Sequence, residues 1–210
     1  MMDGTKHVLV LGANGQTGAH VVDYALDAGA RVTAVVRSHA KQPATHHPRL
    51  TVRVGDPCDP AFLAEVAQGH DVIISTLGGR RPTQKALSVY PRSARSIIRA
   101  VEGAGISTVI VTSSALLFPP ARLLDRVLRT LVFRVVQNAA RMEQSLSTCP
   151  CTVIVARCGF LNDLDERPYR TSKDALPPNG STISRKTLAR FLVERGLAPS
   201  PVSGVFGVAN

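Results

Sequence analysis

The tightest constraint on this chain is the run Gly12-Ala13-Asn14-Gly15-Gln16-Thr17-Gly18, set between a short apolar stretch, His7 to Leu11, and a segment with apolar residues at helical spacing, Ala19 to Leu26. A sharp exit from a strand favours a residue without Cβ, and a backbone that closes on a phosphate has no room for one. The helix that follows offers free N–H groups and the positive end of its dipole at its first turn. Strand, glycine turn and helix in this order make a cradle for the pyrophosphate of a dinucleotide; the same heptad in isolation is only a tight turn. Gly29 closes the helix.

Beyond the cradle, strand-like runs at Arg31 to Val36, Leu50 to Val54, Val72 to Leu77, Thr108 to Thr112 and Thr152 to Ala156 are separated by helical stretches at Pro60 to Gln68, Ala86 to Glu102 and Leu123 to Leu146. The strands are Val- and Ile-rich with little polar alternation, as when helices cover both faces of a parallel sheet. The expected fold class is therefore α/β, a doubly wound parallel Rossmann sheet. With 210 residues the chain reads as a single domain, its cofactor half at roughly 5–115 and its substrate-facing half at roughly 116–210. In the tail, Ser184 is placed to cap a helix through Leu188, Phe191 and Leu192, and Val202 to Val208 reads as an edge strand. Pro177-Pro178-Asn179-Gly180 is turn chemistry rather than a linker.

The choice of nucleotide follows from the end of the second strand, where an NAD site usually places an acidic residue on the ribose. Here Arg37-Ser38 stands instead, and an arginine can grip a 2′-phosphate bidentately, so NADP(H) is the expected cofactor; the plainer reading of Arg37 is an exposed strand-end charge. Asp56 can accept from the adenine amine or cap the helix starting near Pro60.

The formal charge of +10, from 25 Lys and Arg against 15 Asp and Glu, suits an anionic ligand. Its arginines are scattered and its aromatics few, which argues against nucleic acid as a partner. From Arg122 to Val135, apolar positions at helical spacing alternate with Arg126, Arg129 and Arg134. That stretch reads first as a packed helix, next as a lid over the substrate, and least as a membrane-binding face. Cys58, Cys149, Cys151 and Cys158 read as free thiols, and no second Cys or His cluster joins Cys149-Pro150-Cys151 into a metal site, so no metal is expected. The N-terminal residues lack the long apolar region of an export signal, which points to the cytoplasm. A monomer or weak homodimer is expected.

These residues carry a resemblance. The glycine turn, Val36-Arg37-Ser38, Gly55-Asp56, Leu77-Gly78-Gly79 and Thr112-Ser113-Ser114-Ala115 resemble the atypical short-chain dehydrogenase/reductase group. Within it the likeness is nearest to NmrA-like NADP-binding proteins and to the flavin-reductase branch typified by biliverdin reductase B. Arg141-Met142 and Ile183-Ser184-Arg185-Lys186 extend it over nearly the whole chain. The resemblance implies that Gly12, Asn14, Gly15, Gln16, Thr17 and Gly18 hold the pyrophosphate, and that Arg37 and Ser38 hold the 2′-phosphate. Asp56 and Pro57 would flank adenine, and Thr76, Leu77, Gly78 and Gly79 would line the ribose. Ser113 and Ser114 would face the nicotinamide and the substrate, and Cys158 joins the cofactor-binding set.

Two departures bear on the reaction. The biliverdin reductase B type carries a histidine after the sixth strand, where this chain has Gly159. The Tyr-x-x-x-Lys pair of typical short-chain dehydrogenases is matched in spacing by Tyr169 and Lys173, but these lie far beyond the helix that follows the serine strand. On that helix stands Ala139-Ala140-Arg141-Met142-Glu143. The expectation is a reductase of an aromatic or conjugated small molecule, a flavin or quinone, by direct hydride transfer. Ser114 would orient the acceptor or merely cap the strand end, and Arg141 or solvent would supply the proton. The alternative is a non-catalytic NADP(H)-sensing regulator of the NmrA-like kind. An epimerase-like member would need an acid/base pair that the sequence does not display.

Overall fold

Alternating buried strands and amphipathic helices generate one continuous sheet. The computed structural model describes residues 5–38, 40, 42, 45–78, 83–119 and 130–210. In chain order the elements are β1 (His7–Leu11), α1 (Gln16–Asp27), β2 (Arg31–Val36), β3 (Leu50–Val54), α2 (Pro60–Val66), β4 (Val72–Ser75), α3 (Gln84–Leu87), α4 (Val89–Ala104) and β5 (Thr108–Ser114). A 3-10 turn, Ala115–Leu117, follows β5. Then come α5 (Phe133–Leu146), β6 (Thr152–Cys158), β7 (Phe160–Asn162), β8 (Arg170–Lys173), β9 (Thr182–Ser184), α6 (Arg185–Gly196) and β10 (Gly204–Ala209).

The main sheet has eight strands in the order β3-β2-β1-β4-β5-β6-β10-β8, and its order reverses between β1 and β4. All pairings in it are parallel except β10 with β8. A small parallel pair, β7 with β9, stands beside it. Side chains alternate across each strand and so divide the core in two. Val8 and Val10 pack with Val21, Val22 and Ala25 of α1 and Leu188, Phe191 and Leu192 of α6. Leu9 and Leu11 pack with Leu63 of α2, Ala94 and Ile97 of α4, and Met142 and Leu146 of α5. This is the doubly wound parallel α/β sheet expected from the alternation. No helix among the described residues is long and apolar enough to cross a membrane.

Three local expectations are corrected. The fourth strand stops at Ser75 rather than Leu77, because Thr76 turns its N–H and hydroxyl onto the Leu11 carbonyl. The helix expected from Ala86 to Glu102 is two, broken at Ser88; Pro91 has no N–H for the Leu87 carbonyl and its ring would strike it, so α4 starts afresh with Pro91 in its first turn. The C-terminal apolar run is an interior strand, not an edge, because β8 pairs along its outer side. The helix expected from Leu123 is seen from Phe133; residues 120–129, with Arg122, Arg126 and Arg129, lie outside the described residues.

Ser184 does cap α6. Its hydroxyl accepts from the Thr187 N–H at 3.1 Å and lies 2.8 Å from the Thr187 hydroxyl, with Ser184 1% exposed. Ser184→Ala is expected to cost about 1–2 kcal/mol, lowering Tm by several degrees in thermal denaturation.

Candidate functional site

At the head of α1 the backbone, rather than any side chain, shapes the site. Gly12 leaves β1 at φ +84°, and the Gly15 N–H donates to the Gly12 carbonyl at 2.8 Å. A Cβ on Gly18 would stand 2.1 Å from the Gly12 oxygen, so only glycine lets the helix start this close to the turn. The Thr76 hydroxyl donates to the Leu11 carbonyl at 3.2 Å and lies 3.4 Å from the Gly12 carbonyl, tying the end of β4 to the turn. No side chain caps α1, and its first turn carries no acidic residue. A helix N-terminus left in this state fits a pyrophosphate. Asn14 and Gly15 are half-buried, Gln16 is exposed, and Thr17 is buried.

The residues expected around the adenosine lie at the carboxyl ends of β2 and β3. Arg37 is exposed and Ser38 half-buried; Arg37 is close enough to Cys58 to favour its thiolate, although burial and Asp56 outweigh it and push the thiol up to about 11. Pro57 is buried. Asp56 accepts from the Cys58 N–H at 2.9 Å and from Arg92 at 3.1 Å. It does not cap α2; Asp59 does, accepting from the Ala61 and Phe62 N–H groups. Arg92, on α4, was not singled out from the sequence, and only the fold brings it to Asp56. Leu77 is half-buried and Gly78 exposed, while Gly79 lies outside the described residues.

Ser113 and Ser114 are adjacent, so they point to opposite faces of the sheet. Their partners on β6 divide likewise, Ser113 beside Arg157 and Ser114 beside Cys158. On one face, Ser114 and Cys158 line a cavity of about 570 Å³ with Leu116, Phe118, Phe160 and Leu176. The Ser114 oxygen also accepts from the Leu116 N–H at 3.3 Å, so it caps the turn and lines the cavity at once. Cys158 is buried, which pushes its thiol up to about 11 and keeps it protonated near neutrality; it donates to the Ser113 carbonyl at 3.4 Å.

On the other face, Ser113 donates to Glu143 of α5 at 2.5 Å. Arg157 grips the same carboxylate through Nη2 at 2.6 Å and Nε at 3.1 and 3.3 Å. This ion pair is largely buried, at 17% and 10% side-chain exposure, and the Arg157 guanidinium lies 4.7 Å from the centroid of the Phe118 ring. Sequence reasoning noted Glu143 only as part of a helix lacking tyrosine and lysine. Its signal was the single acidic side chain in that stretch, legible once β5 and β6 were in register.

Other expected residues stand apart. Arg141 is exposed on α5. Tyr169 packs edge-on against Phe191 at 5.4 Å and donates to Glu194, so it belongs to the α6 core, and Lys173 pairs along β10. Burial and that hydrogen bond push the Tyr169 phenol up to about 12. A Cβ on Gly159 would stand 2.1 Å from the Ser181 carbonyl, which is why no histidine fits there. All four cysteines are free thiols; Cys149 and Cys151 hydrogen-bond to each other, which lowers the first thiol and raises the second.

Comparison with known proteins gives the family and the fold. The sequence model of the NAD(P)H-binding family matches residues 12–195. A 3-beta-hydroxysteroid dehydrogenase of Mycolicibacterium neoaurum is 32% identical over 117 residues, covering 51% of this chain and 31% of that protein. The chain thus spans less than a third of the length of the curated relatives it matches. A short-chain dehydrogenase/reductase from Veillonella parvula DSM 2008 superposes with a TM-score of 0.82 at 20% identity, over 98% of this chain and 94% of that one. A second from the same organism, solved in complex with NADP, gives 0.76 at 20% identity over the same shares. A protein from Streptococcus pneumoniae TIGR4, provisionally assigned as an NADH-flavin reductase, gives 0.81 at 21% identity over 98% and 99%. At these identities the structural likeness is one of fold.

The cradle's glycines separate two effects. A Cβ on Gly15 meets only the Gly12 oxygen, at 3.1 Å, whereas one on Gly18 collides with backbone. Gly15→Ala is expected to weaken NADPH binding by about tenfold or more with little change in Tm, while Gly18→Ala lowers Tm as well. Fluorescence titration and thermal denaturation of both variants check this, and equal effects on binding and Tm at Gly15 would count against the phosphate assignment.

Proposed function

Because the chain belongs to the NAD(P)H-binding family, we propose that it is an NADPH-dependent reductase that passes hydride to a flavin, a quinone or a similar conjugated acceptor. The observation that carries this reading is the cavity at the carboxyl ends of β5 and β6, of a size that suits a small ring system and lined mainly by apolar side chains. Open α/β sheets bind their ligands at such strand ends. The bound cofactor would supply the hydride.

The residues present suit that division of work. Gly12, Gly15 and Gly18 would bring backbone to the pyrophosphate, and exposed Arg37 would meet the 2′-phosphate that distinguishes NADPH from NADH. Leu116, Phe118, Phe160 and Leu176 offer apolar surface to a flat ring and exclude water from it. Ser114 would fix the ring's orientation through a polar edge. Cys158, protonated at neutral pH, contributes shape rather than a nucleophile. Protonation of the reduced acceptor falls to solvent, since Arg141 is exposed and Tyr169 lies in the α6 core.

The test is oxidation of NADPH by purified protein with riboflavin and a small uncharged quinone as acceptors. Protein-dependent oxidation is expected, and Ser114→Phe, which fills the cavity, should cut it about tenfold or more without weakening NADPH binding. Tight NADPH binding with no turnover on any acceptor would replace the reductase reading by that of a nucleotide-sensing regulator. Arg37→Glu is expected to weaken NADPH binding by about tenfold while leaving NADH little changed. Unchanged NADPH affinity in that variant would remove Arg37 from the 2′-phosphate site.

A further inference from the structure

We propose that Cys149 and Cys151 form a reversible redox site, a dithiol that small disulfides convert to a Cys149–Cys151 disulfide. Neither thiol lines the cavity between β5 and β6. Cys151 directly precedes β6, and Ile106 and Ser107 across from it directly precede β5, so the pair sits at the amino ends of these strands, opposite the cavity at their carboxyl ends. The site therefore stands whether or not the chain is a reductase.

The local backbone holds the two sulfurs together. The Cys149 N–H donates to the Leu146 carbonyl at 3.0 Å as α5 ends, and the Thr152 N–H donates to the Ser107 carbonyl at 3.0 Å as β6 joins β5. Between these anchors the chain bends at Pro150 and Cys151, and the proline ring fixes one torsion of the bend. The two thiols, separated only by Pro150, are hydrogen-bonded to each other. The ends of the loop that a disulfide would close are already in contact, so closure demands little further ordering.

The pair can also be reached. Both thiols are half-buried and line an open hollow of about 640 Å³ with Val101 and Gly105, the residue that caps α4. A Cβ on Gly105 would meet no atom within 4 Å, so that side of the hollow is clear. Space of this size admits one arm of a small disulfide. The other two cysteines differ on every count. Cys58 and Cys158 are 8% and 9% exposed, burial pushes both thiols up to about 11, and each donates to a backbone carbonyl, of Val89 and Ser113 respectively. They are internal controls for the reactivity of the pair.

The hydrogen bond assigns the roles. The Cys151 thiol donates to Cys149, which lowers the Cys149 thiol below its usual value against burial and the charge of Glu102, and raises Cys151. The thiolate is the nucleophile in thiol–disulfide exchange, so Cys149 attacks first. Its sulfur bonds to one half of the small disulfide while the other half leaves as a thiolate and takes up the proton that Cys149 released. Cys151 then gives up its proton and attacks the Cys149 sulfur, and the second half leaves and is protonated in turn. Two protein thiols are oxidised by two electrons, and one small disulfide is reduced to two thiols. A disulfide closed across a single residue is strained, and strained, accessible disulfides are readily reduced, so excess thiol reopens this one.

The test treats the reduced full-length protein with oxidised glutathione, quenches with acid, unfolds, alkylates the remaining thiols with N-ethylmaleimide, and reads intact mass and peptide maps. The wild-type protein is expected to lose two of its four thiols, to carry no glutathione, and to map its disulfide to Cys149 and Cys151; dithiothreitol should restore both thiols. Cys151→Ser removes the second attacking thiol and is expected to stop at a stable glutathione adduct on Cys149. Cys149→Ser is expected to form its adduct about tenfold or more slowly. Retention of all four thiols, a stable adduct as the wild-type end product, a disulfide between two chains, or oxidation mapped to Cys58 or Cys158 would overturn the proposal, and each of these is read on the wild-type protein whether or not the variants fold. Equal rates in the two folded variants overturn the assignment of Cys149 as the attacking thiol.

Discussion

The rest of this structure depends on the contact between Gly18 and the carbonyl of Gly12, where helix α1 begins almost on top of the turn it leaves. A Cβ at residue 18 would also stand 2.9 Å from the Thr76 hydroxyl, so β1, α1 and the end of β4 meet at one point. The strand order reverses between β1 and β4, and the crevice opened there is where the head of α1 is aimed. One close backbone approach therefore fixes the helix axis and the sheet's switch point together, and with them the place proposed for the phosphates. Thr76 is the brace, because its N–H and hydroxyl both return to the β1 carbonyl at Leu11.

This explains which parts of the molecule were legible in the sequence. The first three strands read off to the residue: Val8 to Leu11 and Val32 to Val36 are buried on both faces with almost no polar alternation, whereas β3, Leu-Thr-Val-Arg-Val, alternates and is half exposed. The glycine turn was legible because its determinants are local: seven consecutive residues specify turn, helix start and close approach. Ser184 was legible as a cap for the same reason. By contrast β8 is Arg-Thr-Ser-Lys, half exposed and without an apolar run, and it exists because β10 offers it an open edge. Its presence turns the expected edge strand into an interior one. The break before α4 was readable in principle from Pro91, since a proline three residues into a helix is tolerated and one in mid-helix is not.

The substrate side was harder to read because its key pairs are made by register rather than by spacing. Glu143 and Arg157 belong to consecutive elements, but they meet only because β5 and β6 align Ser113 with Arg157 and turn both toward α5. Burying such a pair costs desolvation that mutual attraction repays only in good geometry. Here the geometry is bidentate, Ser113 adds a third partner, and Phe118 covers the guanidinium. The arrangement gives the carboxyl ends of two strands a fixed relative position on the side away from the cavity. It stands on the helix where typical short-chain dehydrogenases carry their tyrosine and lysine, and its groups are committed to one another.

That commitment divides the labour between the two faces of the same strand ends. Ser113 and Arg157 are locked to α5, whereas Ser114 and Cys158 are turned to the cavity and, among the described residues, hydrogen-bond to backbone rather than to an acid or base. A hydroxyl without a neighbouring base is a poor proton donor, and a thiol held up to about 11 is a poor nucleophile at neutral pH. What these walls can do is shape and dry a space next to the proposed dinucleotide cradle. Chemistry that asks only for proximity and exclusion of water, such as the proposed hydride delivery to a ring that already stabilises the added charge, makes no demand that these walls fail to meet.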